Sequence, residues 1–166
     1  MKKTLILSTA LVALSVSALA QDYSAQHMQT QDATTYQQPV QDLVMEQIHY
    51  LQTEWAQIKY QVADEDQQVN ALHKLEEHAA KVTASYANRA EPKIWEAIIL
   101  STDAGIDGGL GALGTVKKAK ALLEDALKID ERALDGSAHT SLGSLYYQVP
   151  GWPVGFGDDD EAEKHL

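Results

Sequence analysis

Three glycines in the middle of the chain have the spacing of a phosphate-binding turn. Gly109, Gly111 and Gly114 form a G-x-G-x-x-G pattern, and the acidic Asp135 follows about twenty residues later. In a dinucleotide site such glycines let a pyrophosphate approach the N-terminus of a helix. That site also needs a strand before the glycines and another after the helix. The preceding segment instead opens with a helix-starting proline, Pro92, which argues against nucleotide binding.

Six histidines raise the question of a metal site. His73 and His78 are five residues apart, so they miss the i, i+4 spacing of a helical zinc pair. Glu77 lies about one helical turn after His73 and could complete only a weak surface site. We therefore predict no metal ligands and no cofactor. Most histidines are expected to face solvent or a partner, and His139 is expected to pack inside the fold.

An acidic run, Asp158–Glu161, could bind a cation. It lacks the alternating oxygen ligands, the central glycine and the terminal glutamate of a calcium loop. Acidic side chains are also favoured in the first turn of a helix, where an aspartate accepts a hydrogen bond from a backbone N–H. We therefore predict that the run caps a helix. No serine, histidine and aspartate and no pair of carboxylates has the spacing of a nucleophile or an acid–base pair, so no catalytic residue is predicted.

Two glycine-rich segments, Gly105–Gly114 and Pro150–Gly157, are the candidate binding loops. The second contains large apolar side chains, Trp152 and Phe156, in a segment that we expect to be exposed. These side chains could pack onto the first loop as a minor core. They could equally line a groove for a ligand or a partner, as exposed aromatic residues often do. The candidate residues are Gly108, Gly109, Leu110, Gly111, Gly114, Pro150, Gly151, Trp152, Pro153 and Phe156.

Apolar side chains recur three and four residues apart along most of the chain, which predicts an all-α fold. We expect stacked helical hairpins at about 40–89, 91–131 and 134–166. The predicted helices cover 40–62, 69–86, 92–99, 116–129 and 134–147, and a sixth begins at Asp158. Few residues follow Asp158, too few for a helix that is stable alone. The last hairpin is therefore expected to be truncated, and the chain to be a fragment.

The hairpins share features of the tetratricopeptide repeat, W-x2-L-G-x2-Y followed by A-x3-F. The segment His139–Tyr146 fits the first half except at the tryptophan position, and Trp95–Thr102 with Ala119–Asp130 gives a second, weaker match. Small residues at the conserved positions allow close helix approach. Each unit carries seven or eight extra residues between its helices, and we expect these insertions to emerge on one face. The alternative is an unrelated six-helix bundle.

These segments also resemble a known family. Trp95–Leu100 with Gly108–Gly114, and Leu134–Ala138 through Pro150–Pro153, resemble exported bacterial repeat proteins similar to the T component (TatT) of TRAP transporters, which are periplasmic carriers of organic acids. The resemblance covers roughly residues 40–166 and implies a helical-repeat protein that partners a periplasmic solute-binding protein. The lipid anchor frequent in that family has no counterpart here, because the chain contains no cysteine.

Residues 1–20 have the pattern of a secretory signal peptide. Two lysines precede an apolar run that ends in small residues, so we predict cleavage between Ala20 and Gln21. A membrane anchor is the alternative, but the run is shorter than the about 18 residues that span a bilayer. Segment 21–39 is rich in glutamine and is predicted to be a disordered leader. The helical domain then occupies residues 40–166.

The composition limits the function. The chain has 166 residues, 13 basic and 24 acidic, a net charge of −11 and no cysteine. One domain of ordinary size fits that length, and the acidic balance argues against binding nucleic acid or an anionic membrane. We expect a non-enzymatic scaffold or adaptor in the periplasm, or secreted, without a membrane anchor after cleavage, that binds a protein partner. Homo-oligomers are compatible with this reading, and the alternative is a small-ligand carrier or enzyme that uses the two loops.

Overall fold

Helices make up most of the chain for which a structure is described. The computed structural model describes the backbone of residues 38–166 and the side chains of residues 43–166, apart from that of Leu110. The predicted signal peptide, its cleavage site at Ala20 and Gln21, and the leader up to residue 37 lie outside the described residues. Val44–Leu166 forms one compact unit, and the packing below concerns that unit.

Six α-helices follow one another between residues 38 and 166. They are α1 (Gln38–Gln61), α2 (Glu65–Ser85), α3 (Ala90–Asp107), α4 (Gly109–Ile129), α5 (Ser137–Gln148) and α6 (Asp159–His165). A one-turn 3-10 helix, Ala133–Gly136, precedes α5. Within the same range a single β-bridge joins Gly151 and Gly157, and there are no strands. The predicted all-α fold of helical hairpins is confirmed.

Local sequence signals begin three of the helices. The Asp64 carboxylate accepts a hydrogen bond from the Gln67 backbone N–H (2.9 Å) at the start of α2. The Asp158 carboxylate accepts one from the Glu161 N–H (3.0 Å) at the start of α6, so the predicted capping role of the acidic run is confirmed. Pro92 lies in the first turn of α3, where a missing N–H leaves no helix bond unmade.

Two apolar clusters form the core, and both include residues of α3. The first joins α1, α2 and one face of α3: Val44, Ile48, Leu51, Ile58, Leu72, Leu75, Ala79, Val82, Trp95 and Ile99. The second joins the other face of α3 to α4, the 3-10 turn, α5 and the residue after it: Ala90, Ile94, Ala97, Leu100, Ala104, Val116, Ala119, Leu123, Ala126, Ala133, Ala138, Leu142, Leu145 and Val149. Helix α3 is therefore buried between two layers of helices.

The first helices of successive hairpins also touch one another. The Trp55 indole N–H of α1 donates a hydrogen bond to the Thr102 hydroxyl of α3 (2.8 Å), and the rings of Trp55 and Trp95 meet edge to face at 5.9 Å. Helix α3 in turn contacts α5. The hairpins α1–α2, α3–α4 and α5–α6 are therefore stacked, with α1, α3 and α5 forming one side of the stack.

The first glycine-rich segment is not a loop, contrary to the prediction. Helix α3 continues to Asp107, and α4 begins at Gly109. Gly108 and Gly109 make the turn between them, with φ of 64° and 69°, and Leu110, Gly111 and Gly114 are helical. Glycine costs about 1 kcal/mol in a helix, but the apolar stripe of α4 extends back through Ala112, and packing of α4 against α3 offsets that cost.

Replacing Gly114 by alanine tests this correction. Gly114 is exposed within α4, and a Cβ there would meet no atom within 4 Å. We expect Gly114→Ala to raise the free energy of unfolding by about 0.5–1 kcal/mol, because alanine loses less backbone entropy in a helix. Gly108→Ala, at a positive φ, should lower it instead. Thermal unfolding followed by circular dichroism measures both, and a neutral or destabilising Gly114→Ala would support the loop.

The fifth helix begins later than predicted. Leu134 and Asp135 have positive φ values of 50° and 55° and Gly136 has 79°, so the predicted start at Leu134 is a left-handed turn and α5 begins at Ser137. The apolar spacing of Leu134 gave no sign of this turn, because Leu134 still packs against both clusters. Among the helices of the described region, none is both long and apolar enough to cross a membrane.

Candidate functional site

A groove of about 640 Å³ lies on the side of the stack formed by α1, α3 and α5. Helix α4 and the segment after α5 complete its walls. The lining residues are Lys59, Ile98, Ser101, Thr102, Ala104, Gly105, Gly109, Ala112, Leu113, Val116, Thr140, Ser141, Ser144, Leu145, Gln148, Val149, Pro150 and Val154. Four of the helices that form the hairpin stack, α1, α3, α4 and α5, thus meet around one concavity.

The polar lining consists mainly of five hydroxyl groups, and three of these donate to backbone carbonyls. Ser101 donates to the Ala97 carbonyl (2.7 Å), Thr102 to the Ile98 carbonyl (2.8 Å) and Ser144 to the Thr140 carbonyl (2.9 Å). Each bond runs back to the preceding helical turn, as serine and threonine commonly do in helices. The Thr102 oxygen already accepts the Trp55 indole N–H, whereas the Ser101 and Ser144 oxygens keep lone pairs that can accept a hydrogen bond from a ligand.

The charge of the groove differs from that of the chain. The chain has 24 acidic side chains, yet no aspartate or glutamate is among the residues that line the groove, and Lys59 is their only charged member. The Lys59 side chain is exposed on α1. The groove is therefore a mostly apolar concavity, and the single charge among its lining residues is the positive charge of Lys59 at its edge.

Glycine widens the groove where α3 and α4 meet. Gly105 and Gly109 both line it, and a Cβ built on either would meet no atom within 4 Å. A side chain at either position would therefore not clash with its neighbours, and each glycine leaves open space in the groove that a side chain would occupy. The apolar wall beside them comes from Ile98, Leu113 and Val116.

The segment between α5 and α6 is a loop, as predicted, and its backbone is held by hydrogen bonds. The Gly157 N–H donates to the Pro150 carbonyl (3.0 Å), and the N–H groups of Val154 and Gly155 both donate to the Gly151 carbonyl (3.1 Å each). The Trp152–Pro153 peptide bond in this loop is cis.

The two aromatic side chains of this loop have different environments. Phe156 packs edge to face on Tyr146, with ring centroids 5.8 Å apart, and joins the second apolar cluster. Trp152 is 90% exposed and Val154 is 62% exposed. Phe156 therefore packs into the core, but through Tyr146 of α5 and not through the first glycine-rich segment as predicted, and Trp152 stays on the surface.

The predicted site residues are only partly brought together. Gly109 and Pro150 line the groove, whereas Gly111, Gly114 and Trp152 do not. The side chain of Leu110 is outside the described set. The other candidates, Gly108, Gly151, Pro153 and Phe156, are close in sequence to lining residues without being among them. The hydroxyl-bearing faces of α3 and α5 were not predicted. Their helical spacing in the sequence could have indicated them, at Ser101, Thr102 and Gly105 in α3 and at Thr140, Ser141 and Ser144 in α5.

The structure does not place a strand directly before the glycine motif, as a dinucleotide site would require. The segment before Gly109 is helix α3, where a dinucleotide site requires a strand. The glycines of the motif lie in the first turns of α4, which packs against α3 and α5.

Three of the described histidines have a hydrogen-bonding partner at the imidazole ring. His78 is 3.3 Å from the Gln47 amide oxygen, and the imidazoles of His139 and His165 meet at 2.9 Å between their Nδ1 atoms. His139 is half-buried, and burial lowers the pKa of His165, with His139 as the next cause. Among the described side chains of residues 43–166, no three histidine, aspartate or glutamate groups are arranged to hold a metal ion.

The chain matches no protein-family model, no curated protein and no solved structure.

Proposed function

We propose that the protein is a non-enzymatic, exported helical-hairpin adaptor that holds a protein partner at the mouth of the groove. The observation that carries this proposal is Trp152, which is 90% exposed on a loop whose backbone is held by hydrogen bonds. A large aromatic side chain that is exposed at low conformational freedom is a typical anchor of a protein interface.

The neighbourhood of Trp152 supports an interface. Val154 belongs to the same loop, is 62% exposed and lines the groove, so an apolar surface runs from the loop into the concavity. Phe156 is partly buried and packs against Tyr146, which attaches the loop to α5. A partner would meet an exposed aromatic side chain beside a depression that its own side chains could enter.

The lining supports binding over catalysis. Its polar groups are hydroxyls, one amide and one amine, and histidine, aspartate and glutamate are not among them. Those are the residues that most often transfer protons in enzymes. The resemblance to the T component of TRAP transporters suggests a periplasmic solute-binding protein as the partner, and we adopt that as the partner to test.

A second candidate function is a small-ligand carrier, and the size of the groove supports it. Its volume of about 640 Å³ lies within the roughly 300–1,000 Å³ range of small-molecule sites. Apolar walls with a few acceptors and one amine would suit a mainly apolar ligand that carries donors or one negative charge. Such a ligand would occupy the groove itself, whereas a protein partner would also contact Trp152.

Replacing Trp152 by alanine tests the adaptor function. We expect Trp152→Ala to weaken binding of a purified TRAP-type solute-binding protein about tenfold or more, since an interface anchor contributes about 2 kcal/mol or more. Tyr50→Ala is the control, because Tyr50 is also an exposed aromatic side chain but lies on α1 outside the groove lining. Isothermal titration calorimetry measures both affinities.

Ser144→Trp separates the two functions, because the indole would fill the groove. If the protein is a small-ligand carrier, native mass spectrometry should detect a bound molecule that is lost in Ser144→Trp and retained in Trp152→Ala. If no solute-binding protein binds, or if Trp152→Ala and Tyr50→Ala bind equally well, the adaptor proposal is wrong.

A further inference from the structure

Two carboxyl groups meet in the interior, away from the groove. Glu76 on α2 and Asp103 on α3 lie within hydrogen-bonding reach of each other. Asp103 is only 5% exposed, and Glu76 is half-buried. The pair sits at the joint between the first and second hairpins, since α2 closes the first and α3 opens the second.

Among the described side chains, neither carboxyl group forms a hydrogen bond through its inner oxygen, although His73 Nε2 lies 3.5 Å from Asp103 Oδ1. Glu76 Oε1 and Asp103 Oδ1 are fully buried and find no hydrogen-bond partner in the part of the chain with described side chains. An acceptor that is buried without a donor costs about 1–3 kcal/mol, and more when it is charged. Two ionised carboxylates at this distance would repel each other as well.

The nearby cations do not neutralise the pair. The Lys118 amine of α4 is 2.8 Å from Glu96, a carboxylate that is itself 3% exposed. His73 on α2 brings its Nε2 to 3.5 Å from Asp103 Oδ1, but its side chain is about half exposed. Asp107, on the next turn of α3, adds further negative charge. Negative groups therefore outnumber positive ones around the pair.

Burial raises the pKa of both carboxyl groups. It is the main cause that raises the pKa of Glu76 from 4.5 to about 7, and the neighbouring Asp103 raises it further. Burial is also the main cause that raises the pKa of Asp103, while His73 opposes that rise. Two carboxyl groups in contact titrate as a unit, so the shared proton belongs to the pair.

We propose that Glu76 and Asp103 bind one proton between them, as a hydrogen-bonded acid and carboxylate, and that loss of this proton loosens the packing of α2 against α3. The proton lets one carboxyl group donate a hydrogen bond to the other, and it removes the repulsion between two negative charges. The pair is then a proton-binding site at the joint between two hairpins. This inference is independent of the proposed adaptor function.

The direction of the pH dependence follows from the protons bound in each state. In the unfolded chain the Glu76 carboxyl loses its proton near its ordinary pKa of 4.5, whereas in the folded chain it keeps it up to about 7. Between these values the folded state holds more protons than the unfolded state. The free energy of unfolding therefore falls as the pH rises through about 7.

A carbon-13 NMR titration of the side-chain carboxyls in the wild-type protein tests proton binding directly. We expect the Glu76 Cδ signal to titrate near neutral pH, together with a linked change at Asp103 Cγ. Glu77, the next residue and an exposed one, serves as the internal reference. A Glu76 signal that completes its titration below about pH 5, near the ordinary glutamate value, would overturn the proposal.

Thermal unfolding between about pH 5 and about pH 9 tests the consequence for stability. Glu76→Gln keeps the shape and supplies a permanent donor, so it should raise the melting temperature at high pH by about 5 °C and flatten the pH dependence. Glu77→Gln removes the same charge from the surface, and it should retain the wild-type slope. Equal slopes for Glu76→Gln and Glu77→Gln would contradict the proposal. If Glu76→Gln does not fold, the wild-type titration still decides.

Discussion

Leu123→Ala is expected to lower the free energy of unfolding by about 2–5 kcal/mol. Leu123 of α4 is 0% exposed and lies in the cluster that joins α3, α4 and α5. Truncation loses the burial of three side-chain carbons, the Cγ methine and the two Cδ methyl groups, and leaves a cavity between three helices, none of which can move in without disturbing the others. Chemical denaturation followed by circular dichroism measures the loss.

Leu122→Ala is the matched control, because the same atoms are removed one residue earlier from a side chain that is only partly buried. Its cost should be less than half of that of Leu123→Ala. Comparable costs for the two variants would mean that α4 is not rotated as described, and that the predicted stacking of the second hairpin on the third is wrong.

Gly157→Ala is expected to destabilise the second loop and to detach α6, at a cost of roughly 1–3 kcal/mol or more. A Cβ at Gly157 would lie 1.8 Å from the Val149 carbonyl oxygen, an atom of the backbone that cannot rotate away. The loop would have to open. The Gly157–Pro150 hydrogen bond (3.0 Å) and the Asp158–Tyr146 hydrogen bond (3.0 Å) that follows it would be lost.

Hydrogen exchange of the backbone amides locates that effect. Faster exchange is expected for Gly157, Asp158 and the residues of α6, with little change in α1 and α2. Gly114→Ala, described above, introduces the same methyl group where it meets no atom, and it should slow exchange around it. If Gly157→Ala left protection unchanged throughout, the close approach of the loop to Val149 would be refuted.

The helices were predictable because their signals are local. Asp64, Pro92 and Asp158 mark helix starts in the sequence, and each lies at or within the first turn of a helix. Apolar spacing then identifies the faces that become buried. The error at Gly105–Gly114 arose because glycine content outweighed periodicity, although Ala112 and Val116 continue the stripe of α4.

The sequence could predict only those parts of the candidate site that lie within one continuous segment. Gly109 and Pro150 belong to segments with an unusual composition, and both line the groove. The hydroxyls of α3 and α5 become neighbours only because α3 contacts both α1 and α5, which no single stretch of sequence encodes. The same holds for Glu76 and Asp103, which are 27 positions apart and meet through the packing of α2 on α3.

The environments of the three tryptophans give the molecule its own fluorescent reporters. Trp95 is buried and in edge contact with the half-buried Trp55 at the joint of the first two hairpins, whereas Trp152 stands almost fully in water at the other end of the described unit. A soluble quencher should therefore reduce the emission of Trp152 most strongly and that of the buried Trp95 least, so the emission that remains comes mainly from the joint. Partner binding and separation of the hairpins can thus be followed as two independent optical signals in the same unlabelled sample.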